Sequence, residues 1–68
     1  MVNTAKLRGV IAECGLSQAK VAKYLGITGK TFYTKMKTGA FNADEMSKLV
    51  SLLGIKDPQS IFFAELVS

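Results

Sequence analysis

Glycine limits how long any folded unit of this chain can be. Gly15, Gly26 and Gly54 each close a run of apolar residues recurring at three- and four-residue intervals, and Gly39 lies in the loop that follows another. Runs of that length and period read as short helices, and no alternating strand pattern competes with them. The spacing predicts a first helix capped by Asn3 or Thr4 and running to about Cys14, with Leu7, Val10, Ile11 and Cys14 on one stripe. Ser17 caps a second helix, Gln18 to Leu25, with Leu16 as a hydrophobic staple and Ala19, Val21, Ala22 and Leu25 as its apolar face. Ile27 follows Gly26 as an apolar plug, and Thr28 caps a third helix from about Gly29 to Lys37. Phe32 and Met36 face inward there, and Lys35 beside them must snorkel.

After an exit loop of Thr38, Gly39 and Ala40, Phe41 tucks back as a plug. Asn42 and Glu45 have capping-box spacing for a fourth helix, Ala43 to about Leu53, with Met46, Leu49, Val50 and Leu53 as its stripe. Asp57-Pro58 starts a fifth, to about Leu66, whose Ile61, Phe62, Phe63, Leu66 and Val67 form too wide a band for one face. Part of that band completes the core, and the remainder suits a homodimer seam, for which Phe62, Phe63 and Leu66 are the candidates. The expected fold is therefore all-α, five helices in one domain spanning residues 1–68.

Sixty-eight residues lie near the lower limit for folding without a staple. With Cys14 alone and no His, a disulfide framework and a Cys/His metal site are both excluded, and no cofactor is expected. A lone Cys fits a reducing cytoplasm, packed as a small hydrophobe. No secretory leader and no bilayer-length apolar run is visible, so a cytoplasmic protein without membrane contact is expected.

Charge is distributed unevenly. Residues 1–39 hold seven cations against Glu13 alone, net +6; residues 40–68 hold two lysines against four acids, net −2. Between Gln18 and Lys37 there is no acid, while Lys20, Lys23, Lys30, Lys35 and Lys37 are all cationic. Two helices joined by a short turn opening on Gly form a helix-turn-helix pattern. The outward stripe of the second of them carries Gly29, Lys30, Tyr33, Thr34 and Lys37, a short, cationic, hydroxyl-bearing surface suited to the DNA major groove. The start of the second helix, at Gln18, offers unpaired backbone N–H groups to a phosphate, and Lys20 stands beside it. Lys6 and Arg8 on the first helix read either as solubilising charges or as phosphate contacts.

Together, LSQAKVAKYLGITGKTFYTKMKTG resembles the helix-turn-helix of the lambda-repressor-like (Cro/C1-type, XRE) family. The resemblance rests on Gln18 opening one helix, Ala22 packing against the next, and the turn Gly26-Ile27-Thr28. ADEMSKLVSLLGI is similar to that family's fourth helix, and DPQSIFFAEL to the close of small phage and prophage Cro-like regulators, so the likeness covers about residues 4–66. It implies base reading by Thr28, Gly29, Lys30, Thr31, Tyr33 and Thr34, and phosphate contacts from Gln18, Lys37 and Thr38. Gly29 departs from the pattern, because relatives often carry a long polar side chain there. The implied function is a homodimeric transcriptional regulator, a repressor, whose partners are double-stranded DNA and, as a further candidate, another phage regulator. No small-molecule effector is expected.

Three other readings compete with this one. Gly29-Lys30-Thr31 shares the end of a phosphate-binding loop motif, but that motif needs a Gly at position 24, which is Tyr, and a preceding strand. Catalysis lacks a His and any nucleophile–base pairing, so no enzyme is expected. The third is a protein-interaction module, an antirepressor-like partner that does not read DNA.

Overall fold

The computed structural model describes residues 2–63 as five helices: α1 (Thr4–Glu13), α2 (Gln18–Leu25), α3 (Gly29–Thr38), α4 (Ala43–Leu53) and α5 (Pro58–Phe62). The all-α, five-helix architecture is as expected. Four helices begin at a short polar side chain that accepts from the backbone N–H three residues on: Asn3 from Lys6, Ser17 from Lys20, Thr28 from Thr31, and Asn42 from Glu45. At α4 the cap is reciprocal, since Glu45 Oε1 also accepts from the Asn42 N–H at 2.9 Å.

Three helix ends share one device. After α1, α2 and α4 the chain turns through a left-handed glycine, and the apolar residue beyond it folds back. The N–H groups of Leu16, Ile27 and Ile55 donate to Ile11, Ala22 and Val50 carbonyls at 3.2, 3.1 and 3.2 Å. Each reversed residue packs against the core. After α1 and α2 the reversed residue also immediately precedes the next helix cap, Ser17 or Thr28, so that stop and staple are one motif there.

The core gathers Leu7 and Ile11 of α1, Val21, Ala22 and Leu25 of α2, Phe32 and Met36 of α3, and Leu49 and Leu53 of α4. Ile61 and Phe62 of α5 close it, with Val2 and Phe41 from the intervening chain. Phe41 meets Phe32 edge-on, ring centroids 6.0 Å apart, so the loop after α3 is pinned onto the helix it leaves. Chain entry is clamped as well: the Asn3 N–H donates to the Ile61 carbonyl at 2.6 Å and the Val2 N–H to the Gly39 carbonyl at 3.4 Å.

Several expectations need correction. Phe62 is 3% exposed and belongs to the subunit's own core, so it is not a seam residue. Helix α5 is five residues long, Pro58–Phe62, and the backbone of Phe63 leaves the helical region; the expected extension to about Leu66 lies outside the described residues. Leu66 lies outside the described residues; Phe63 is exposed. Ala19 and Cys14 are exposed rather than packed, although the Cys14 thiol donates weakly to the Leu53 carbonyl at 3.6 Å. Thr38 ends α3 instead of opening the loop. Among the described residues no helix is long and apolar enough to cross a membrane, and no cluster of His, Cys, Asp and Glu is built to hold a metal.

Candidate nucleic-acid interface

Helix α3 forms on the strength of its Thr28 cap and the burial of Phe32 and Met36 four residues apart. That burial fixes its rotation, and everything off the Phe32–Met36 line is exposed except Lys35. Lys35 crosses instead to α4, its Nζ 3.1 Å from Glu45 Oε1, the same oxygen that receives the Asn42 N–H. Glu45 is buried and Lys35 half-buried, so the pair ties the inner edge of α3 to the start of α4 and withdraws one lysine from the surface.

What remains outward is a ridge. Lys30, Thr31, Tyr33, Thr34 and Lys37 are exposed, Tyr33 to 65%. A trough runs along each flank. One, of about 250 Å³, is lined by Arg8 of α1, Gln18 at the start of α2, and Tyr33, Met36 and Lys37 of α3. The other, of about 410 Å³, is lined by Lys30, Thr31, Thr34, Lys35, Thr38 and Ala40. No carboxylate lines either trough. The ridge therefore separates two cationic channels, each suited electrostatically to a polyanionic strand.

The hydroxyls of the ridge are not equivalent. Thr34 donates to the Lys30 carbonyl at 3.2 Å and Thr38 to the Thr34 carbonyl at 3.0 Å, each one turn back. Thr28 donates to the Thr31 hydroxyl at 2.9 Å while accepting from the Thr31 N–H. With their protons directed inward, Thr34 and Thr38 present oxygen lone pairs and methyl groups outward. Donation to a ligand then falls to Lys30, Lys37 and the Thr31 and Tyr33 hydroxyls, since Thr31 only accepts from Thr28. Gly29 opens the helix without a positive φ, and a Cβ built there would meet nothing within 4 Å. A larger side chain is sterically admissible at that position.

The expected site residues divide into groups. Gly29, Lys30, Thr31, Tyr33 and Thr34 lie together on α3, preceded by Thr28, which is committed to capping. Gln18 and Lys37 line one trough and Thr38 the other. Lys20 is not with them: it lines a separate apolar groove with Lys23 and Tyr24. Arg8, which the sequence leaves open between solubiliser and contact, joins Gln18 and Lys37 in lining one trough. Lys6 lines neither trough.

Comparison with protein-family models, with curated proteins and with solved structures returned no match to this chain.

Proposed function

We propose that this chain is a sequence-specific double-stranded DNA-binding regulator of the lambda-repressor-like type, with α3 as the helix that enters the major groove. One observation carries the reading: α3 is an exposed ridge between two acid-free troughs, one bearing Arg8, Gln18 and Lys37, the other Lys30 and Thr38. A helix in the major groove has a sugar-phosphate strand on each side, and these are the contacts such strands require. Arg8 and Lys37 supply salt-dependent affinity through counterion release. The start of α2 has no acid in its first turn, and with the Lys20 N–H taken by the Ser17 cap, the Gln18 and Ala19 N–H groups and the helix dipole are what it offers a phosphate oxygen. Base choice falls to Lys30, Tyr33 and Thr34.

The regulator acts as a homodimer on two half-sites roughly 34 Å apart, repressing by occupying a promoter. Phe63, whose ring is exposed, is the candidate seam residue among those described, and its exposure supports that part of the reading. The test is selection from random duplexes with purified protein, followed by sedimentation with and without the enriched site. Enrichment of a pseudo-palindrome and a two-protein complex support the reading. Recovery of no motif would reject it in favour of the interaction module.

A further inference from the structure

The groove that holds Lys20 differs in chemistry from the troughs beside α3. It is lined by Leu16, Lys20, Lys23, Tyr24 and Leu52, with a volume of about 330 Å³. Its floor is built in: Leu16 is held by the glycine reversal after α1, Leu52 belongs to α4, and both back onto the core. Tyr24 stands 50% exposed at one wall. Lys20 and Lys23, three apart on the outer face of α2, place two ammonium groups on the same rim, and no carboxylate lines the groove. Gln18, on the same helix, lines a different concavity, so α2 presents two chemically distinct surfaces.

We propose that this groove docks an acidic amphipathic helix from a partner protein, its apolar stripe on Leu16, Tyr24 and Leu52 and its carboxylates on Lys20 and Lys23. Nucleic acid fits poorly: a phosphate would find two ammoniums and the Tyr24 hydroxyl, but only by drying leucine surface without covering it with anything apolar. A second copy fits poorly too. Among the described residues the only helix with acids in its first turn is α4, and its apolar face is in the core. A helix carrying both carboxylates and a free apolar stripe supplies what each part of the groove lacks. The inference is independent of DNA binding, since none of the α3 ridge takes part.

The probe is a fluorescent helical peptide of about 15 residues, Leu and Phe at i, i+3, i+4 and i+7 with Glu on the flanks. Its controls are a scrambled peptide of identical composition and a version with Lys in place of Glu. Anisotropy with the full chain gives affinity, and amide and side-chain NMR shifts give location. The acidic amphipathic peptide should bind, shifting Leu16, Lys23, Tyr24 and Leu52. Lys23→Glu should weaken it about tenfold, and the double change Lys20→Glu with Lys23→Glu should admit the Lys peptide in its place. Tyr24→Ala, at an exposed position and with its fold checked by circular dichroism, should weaken it without altering charge preference. The inference is overturned if the scrambled peptide binds equally, if shifts map to Arg8, Gln18 and Lys37 instead, if no peptide binds, or if the same groove shifts appear on concentrating the protein alone.

Discussion

Helices α3 and α4 are built alike and finished differently. They span ten and eleven residues, each starts at a short polar cap and each ends at a left-handed glycine. Yet α4 opens on Asp44 and Glu45, which complement its dipole, and adds a Lys48–Asp44 pair at 3.4 Å one turn apart. Helix α3 has no acid in its first turn and carries Gly29, Thr31, Thr34 and Thr38 in ten residues. Those four are together roughly 2 kcal/mol less favourable in a helix than Ala. A helix selected only as scaffold would resemble α4. The outward composition of α3 adds little to its own stability, and its inner edge is held by Phe32, Met36 and the Lys35–Glu45 pair.

The largest test of that contrast is to remove an inner anchor. Phe32→Ala should cost about 3–5 kcal/mol in urea unfolding, because Phe32 is 1% exposed and also supports Phe41. In a 68-residue domain that is most of the total stability. If α3 instead held itself together by local propensity, Phe32→Ala would leave its helical signal largely unchanged.

Next in size is the link between the two helices. Glu45→Ala removes the reciprocal cap and leaves Lys35 half-buried without its carboxylate, for an expected loss of about 1–3 kcal/mol. Glu45→Gln keeps an oxygen for the Asn42 N–H and loses only the charge, so it should recover part of that loss. Equal losses for the two variants would show that the ion pair, and not the cap, carries the contribution.

Of smaller effect on the fold, but directed at the proposed interface, are the ridge and trough variants. Lys37→Ala should weaken binding to all duplexes alike and flatten the salt slope by about one. Lys30→Ala should cost roughly 1–3 kcal/mol on the selected site and little on random DNA. Because the Thr34 proton is bonded to the Lys30 carbonyl, Thr34→Val keeps the outward methyl and should retain more affinity than Thr34→Ser. A uniform loss across sequences for both lysine variants would remove the distinction between reading and anchoring residues.

How much of this was legible in advance follows from the range of the interactions concerned. The caps at Ser17, Thr28 and Asn42, the glycine stops, and the inward Phe32 and Met36 are local, so spacing along the chain was enough to read them. Arg8 is different. It precedes Gln18 by a loop, and only the packing of α1 brings the two to one trough. Phe62 was misread for a related reason. A five-residue helix has too few turns for its period to indicate the buried arc, and its placement involves a partner remote in sequence, the Asn3 N–H that donates to the Ile61 carbonyl. Lys35 was expected to snorkel, but its endpoint at Glu45 depends on how α4 is placed.

The smallest expected effect bears most directly on why α3 departs from α4. Gly9 in α1 and Gly29 in α3 both sit at ordinary backbone angles with open space where a Cβ would be. Alanine at either should stabilise the domain by about 0.4–1 kcal/mol, mainly by restricting the unfolded chain. For folding alone, the two sites are interchangeable. They separate only if α3 reads bases. Gly9→Ala should then leave the selected DNA motif unchanged, whereas Gly29→Gln, which adds a long amide at the head of the ridge, should alter the preferred base at one position of each half-site. An unchanged motif for both would mean that the head of α3 does not reach the bases, and that its missing side chain reflects indifference rather than a fit to DNA.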